Sequence, residues 1–156
     1  MVMKPESQTM MTPLSWITLY DFCVVWMTSL IWLVQVLIYP NFRFITDTDF
    51  KVFHKQHCDR IALLVAPMMI QPFALAMIYF TGHDLGGFNT EWKLHTAAIA
   101  LIFVCTAIFS ARQHTTLSRG KDATVIDRLI FWNWPRTLLW TAELALVLAR
   151  KFEITI

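Results

Sequence analysis

Apolar and polar positions alternate along the chain in four long apolar stretches, about 14–38, 61–80, 94–113 and 126–148, joined by shorter polar ones. Each approaches the roughly 20 residues that cross a ~30 Å hydrocarbon layer as a helix. Helix is also the form in which a single apolar segment satisfies its own backbone polar groups in lipid. Within these stretches, polar side chains recur at helical spacing. Thr18, Asp21, Val25, Thr28, Trp32, Gln35 and Tyr39 follow a 3-4 rhythm in the first stretch. The second offers His57, Arg60, Leu64, Pro67 and Gln71, and the third His95, Ile99, Ile102, Thr106 and Ser110. The fourth offers Asn133, Arg136, Trp140 and Glu143. Polar stripes on spanning helices turn toward one another, so four such stripes predict a polar axis inside an apolar shell.

The connections complete the fold. In 41–60, Thr48 or Asp49 is a helix-start candidate, and Phe50, Phe53, His57 and Ile61 keep helical spacing, predicting an interfacial helix that runs into the second span. Pro67 and Pro72 predict a bend there. Gly82, Gly86, Gly87 and Asn89 mark an exposed loop, and Asp122 is a natural N-cap for the last helix. Short links make neighbours antiparallel. The expected fold is therefore all-α: an integral membrane antiparallel four-helix bundle, one domain over 1–156.

Composition agrees, with 56% hydrophobic and 15% charged residues against roughly 45–50% and ~25% in soluble domains. The net charge of +2 is carried in short loops, which reads as membrane topology and not as a nucleic-acid footprint. Arg43, Lys51, Lys55, Arg60, Arg112, Arg119, Lys121 and Arg128 fall on the side of the first and third connections, against Lys4, Lys93, Arg150 and Lys151 on the other. The excess of positive charge points that first side to the cytoplasm of a bacterial inner membrane, with both termini periplasmic. The first apolar run exceeds the ~7–15-residue core of a secretory signal and reads as a retained span. Cys23, Cys58 and Cys105 form no CxxC motif, so a disulfide framework is not expected, and Cys58 beside His57 is a slight metal hint.

Three groups carry candidate chemistry. The first is Arg136, with Asn133 beside it and Gln71 and Gln35 at a similar estimated depth. A guanidinium near the bilayer centre costs from ~3 to above ~10 kcal/mol, so it needs partners. It either locks the helices together or holds a carboxylate, a phosphate or a quinone carbonyl. The second is His54, His57 and His114, which converge on one membrane face. Three imidazoles and an open position suit a transition metal, and paired histidines suit haem iron. Capping and headgroup hydrogen bonds explain the same residues more blandly. The third is Asp21, His95 and Glu143 at the opposite face, a candidate proton relay or a set of structural ion pairs. There is no Gly-rich phosphate loop, nucleophile motif or HExxH.

Tyr39-Pro40, the run from Phe53 to Ile61 (FHKQHCDRI), the run from His114 to Asp122 (HTTLSRGKD), and Asn133-Trp134-Pro135-Arg136-Thr137 with Trp140-Thr141 resemble a group of uncharacterised small bacterial four-span membrane proteins. These are in turn similar to the anthrone-oxygenase-like proteins of unknown function, which carry a late W-x-x-N-x-x-R element. Here Asn133 and Arg136 keep the N-x-x-R part, while Trp132 stands directly before Asn133. The resemblance implies four spans and groups His54, His57, His114, Asn133 and Arg136, but supplies no substrate. Two functions are expected from different classes: a membrane-embedded site for a metal, haem or small redox-active molecule, or a non-catalytic subunit packing against itself or other membrane proteins.

Overall fold

The computed structural model describes residues 13–81 and 90–152. They form four helical rods, and no strand occurs among the described residues. Helix α1 (13–44) is a regular α-helix over Pro13–Leu33, then a π-helical turn at Val34–Ile38, a short α-helical piece at Tyr39–Asn41 and a 3-10 turn at Phe42–Phe44. Helix α2 is Asp47–Thr81. Helix α3 (90–117) is α-helical over Thr90–Cys105, π-helical over Thr106–Ser110 and α-helical again over Ala111–Leu117. Helix α4 is Ala123–Lys151. The glycines expected to form the second connection lie outside the described residues.

Local chemistry sets the boundaries. The Asp49 amide donates to Thr46 Oγ1 at 3.3 Å, and that hydroxyl donates to Asp49 Oδ2 at 2.6 Å. Thr46 therefore caps α2, a little earlier than Thr48 or Asp49 would, because its hydroxyl faces the free first-turn amides. Asp122 caps α4 as expected, accepting from the Val125 amide at 3.0 Å. Helix α2 continues through Pro67 and Pro72 without a break. Gly120, at φ 155°, supplies the backbone freedom that turns α3 into α4.

Helix α1 packs chiefly on α2 and α4, and α3 chiefly on α4, whereas α2 and α3 meet only slightly. The end of α1 meets the start of α4 through Arg43 and Asp127, 2.6 Å apart. The start of α1 meets the end of α4 where Arg150 and Lys151 both pair with Asp21. Between them, Val24, Met27, Ile31, Ile102, Ile126 and Trp140 form the core. Along α1 the predicted stripe splits: Asp21, Thr28, Gln35 and Tyr39 are buried, while Thr18, Val25 and Trp32 face outward. The inward set keeps a spacing of seven up to Gln35, and the π-helical turn brings Tyr39 in beside it.

Helices α1, α2 and α3 are long and apolar enough to cross a membrane. Helix α4, the fourth expected span, is long enough at 29 residues, but Asp127, Arg128, Arg136 and Glu143 interrupt its apolar run. Its central polar residues turn inward, while Asp127 and Arg128 near its start stay exposed. Asn133 and Glu143 are 0% exposed, while Phe131 is 64% exposed and Leu138 59%.

Candidate metal centre

The segment 47–60 of α2 precedes the apolar stretch 61–80 and carries His54, His57 and Cys58 on adjoining faces. Residues four apart on a helix stand one above the other, so His54 and Cys58 share a face. Against that face comes His114, near the end of α3. His54 Nε2 and His114 Nδ1 are 3.0 Å apart. Cys58 Sγ lies 3.7 Å from His54 Nε2 and 3.8 Å from His114 Nδ1. On its other side, His114 Nε2 is 3.0 Å from the hydroxyl of Tyr39. Tyr39 thus fixes the ring so that Nδ1 points at the other two donors. Phe50 stacks on His54 with ring centres 5.7 Å apart, and Phe42 packs edge-on against it at 5.9 Å.

The electrostatics leave these imidazoles uncharged. Burial pushes His54 below the usual histidine range. Burial, then the neighbouring His54, brings His57 down to about 4. Burial, then His54, His57 and Arg136, brings His114 down to about 3. Burial, then the charge of Asp59, raises the Cys58 thiol. Three donor atoms with free or exchangeable lone pairs thus converge, and no ammonium or guanidinium lies between them. A tetrahedral ion with bonds of about 2.0 Å to nitrogen and 2.3 Å to sulfur sets its donors about 3.3 Å (N to N) and 3.5 Å (N to S) apart. The three distances fall within a few tenths of an ångström of those edges. The three donors line an open groove of about 840 Å³, whose walls also include Lys51, Lys55, Asp59 and Ser118.

The side chain that converges with His54 and His114 is Cys58 rather than the expected His57. The His57 ring stands 6.0 Å from that of His114 and 5.0 Å from Phe42, and its Nε2 is buried without a hydrogen bond. A spacing of three turns it about 60° away from His54's face, toward α1.

Deeper in the molecule, Arg136 Nη1 donates to Ser110 Oγ at 2.7 Å and to Asn133 Oδ1 at 3.1 Å. The Asn133 amide donates to Gln35 Oε1 at 2.8 Å. Gln35, Asn133 and Arg136 therefore form one network. Gln71 does not join it. Trp26 donates to the Leu64 carbonyl at 2.8 Å and Trp16 meets Phe73 edge-on at 5.5 Å, so Gln71 lies at the level of residues 16–26, with its amide buried and unpartnered.

That level belongs to the third group. His95 Nδ1 is 2.5 Å from Glu143 Oε1, and the hydroxyl of Tyr20 donates to the same oxygen. Asp21 is brought to this end but pairs with Arg150 and Lys151. Glu91 bridges the two pairs, 3.1 Å from Arg150 Nε and 3.8 Å from His95 Nε2. Sequence reasoning missed Tyr20, and a hydroxyl directly before Asp21 in an apolar run was the available signal. Compared with known protein families, with curated proteins and with solved structures, the chain matches none, so the likeness to small four-span membrane proteins rests on its motifs alone.

Proposed function

We propose that the protein is an integral membrane protein that binds a transition metal, zinc by preference, through His54, Cys58 and His114. The observation that carries the metal reading is the convergence of three donor atoms, 3.0, 3.7 and 3.8 Å apart, on the edges of a tetrahedron. Three protein ligands and an open vertex are the pattern of zinc sites that exchange a water or substrate. Two imidazoles and a thiolate suit zinc or copper, and the near-tetrahedral spacing favours zinc. Tyr39 is the outer-sphere group that orients a ligating histidine. A haem, the other cofactor considered from sequence, finds less support, because neutral His54 and His114 face each other with no room between them for a porphyrin.

The membrane reading rests on inverted exposure. Leu63 and Phe80 are each 77% exposed, whereas Gln71 and Glu143 are 0% exposed. Water would favour the reverse, and lipid favours this. The contacts of α1 with both ends of α4 support an antiparallel four-helix bundle, with the histidine end on the basic, cytoplasmic side of a bacterial inner membrane.

The test is zinc stoichiometry and affinity of the full chain in mild detergent. One ion per chain, lost in His54→Ala, Cys58→Ala and His114→Ala, is the expected result. No binding, or affinity unchanged in Cys58→Ala, would overturn it. A subunit or scaffold role draws on the outward aromatics, such as Phe22, Phe73 and Phe131. A lone monomer after mild extraction counts against that role.

A further inference from the structure

A second pocket lies behind the metal centre, on the far side of Tyr39 and His114. Because α2 and α3 barely touch, a cavity of about 170 Å³ remains between them, α1 and Arg136. Ile31, Val34, Ile61 and Val65 give it an apolar wall, and Arg136, Tyr39 and Ser110 a polar one.

Arg136 is what packing does not explain. It is 6% exposed, and no carboxylate pairs with it among the described residues. Its hydrogen-bond partners are all neutral, the oxygens of Ser110 and Asn133 through Nη1 and the Tyr39 hydroxyl, and its Nε is buried with no acceptor. A buried cation without a counter-charge is costly. The buried carboxylates are better provided for: Asp21 has Arg150 and Lys151, and Glu143 accepts from His95 and Tyr20.

The backbone is also unusual at this level. Both π-helical turns among the described residues sit here, one carrying Val34 and Gln35, the other Thr106 and Ser110. Such turns are rare and cluster at functional sites. Val34, Thr106 and Ser110 line the cavity, while Gln35 holds Asn133, which holds Arg136. Two helices have thus each taken in an extra residue where the guanidinium is presented to an empty, mostly apolar space.

We propose that this cavity binds a small carboxylate whose apolar body is about the size of one aromatic ring, with the carboxylate on Arg136. An apolar cavity of ~150 Å³ accepts benzene, which sets the size, and a planar carboxylate matches the edge of a guanidinium. The inference does not depend on the metal, although Tyr39 joins the two sites through His114 Nε2.

The experiment uses the full chain in detergent, treated with a chelator so that the histidine cluster is empty, with benzoate as the probe and benzyl alcohol as its neutral counterpart. Thermal unfolding is followed by tryptophan fluorescence, and contact with the ring by saturation-transfer NMR. Benzoate raises the melting temperature with concentration and gives a saturation-transfer signal, while benzyl alcohol does neither to a comparable extent. Arg136→Gln weakens benzoate binding about 10- to 100-fold, the range for a lost charge-assisted hydrogen-bond pair. Val65→Trp, which fills the cavity and leaves the charge alone, removes the signal and keeps the fold measurable if Arg136→Gln does not fold. The proposal is overturned by an equal response to benzyl alcohol, by an unchanged benzoate response in either variant, or by no response up to about 50 mM, ample for a ligand of this size. Zinc is measured separately on untreated protein, so either site can fail without the other.

Discussion

The two ends of the molecule handle buried polarity in opposite ways. At the end formed by the start of α1 and the close of α4, charges are matched. Asp21 faces Arg150 and Lys151, and Glu143 takes bonds from both His95 and Tyr20. At the other end, like is set beside like: imidazole against imidazole against thiol, with an arginine behind them that has no anion. Matched charges hold helices together and need nothing further. Converging lone pairs and an unmatched cation keep binding capacity in reserve, which the proposed metal and carboxylate would take up.

The sharpest way to break that contrast is to remove one member of a matched pair. Glu143→Ala leaves His95 Nδ1 and the Tyr20 hydroxyl without their acceptor in the interior and costs about 3 kcal/mol, the lower bound for breaking a buried pair. Reversible unfolding in mixed micelles measures it. Joint replacement of Glu143 and His95 by leucine recovers most of the loss, and failure to recover would mean that this end does more than pair charges.

At the other end, His54→Ala and Cys58→Ser lower zinc affinity by about 100-fold or more, beyond the 10- to 100-fold typical of outer-sphere changes. Melting of the zinc-free protein moves little. His57→Ala, by contrast, stays within about threefold, since its ring is not among the converging donors. A drop as large as that of Cys58→Ser would return His57 to the ligand set. Tyr39→Phe leaves all three donors and loosens only the orientation of His114, so a loss near tenfold is expected by competitive titration.

The pH dependence separates thiol from imidazole. The Cys58 thiol is held above its ordinary range by burial and by Asp59, so below that raised value each zinc ion bound displaces one proton. Affinity then rises about tenfold per pH unit between pH 6 and 8. His57 at about 4 and His114 at about 3 are already unprotonated there and contribute no slope. A flat profile, or a slope retained in Cys58→Ser, would refute the assignment. The smallest effect belongs to the outer ion pair of Arg43 and Asp127, whose side chains are 50% and 60% exposed. Arg43→Ala costs at most about 1 kcal/mol, a loss that added salt should mimic.

Much of this was legible in the residue order. Four helical segments, the Asp122 cap and the meeting of Asn133 with Arg136 follow from periodicity and local spacing, which need no knowledge of partners. What periodicity lacks is phase between helices. Thr18, Val25 and Trp32 keep the same rhythm as Asp21, Thr28 and Gln35, yet only the second set faces inward. Gln71 matched Arg136 in estimated depth, but depth was counted from a presumed helix end, and α1 sets its level among residues 16–26. Cys58 stood in plain view next to His57. Its value as a donor depends on His114, more than fifty residues away, and no local pattern announces that.

The two π-helical turns leave a mark beyond this one molecule. Each is a helix with one residue too many, so a single deletion within 34–38 or 106–110 would restore a regular helix. That deletion would swing everything on one side of it by about 100°. Tyr39 would leave His114, or Ser110 would leave Arg136, while the apolar shell stayed intact. Evolutionary kin that retain the pocket should therefore be free of gaps at both positions. Kin that have lost it should show the loss first as one missing residue, well before any of the histidines changes.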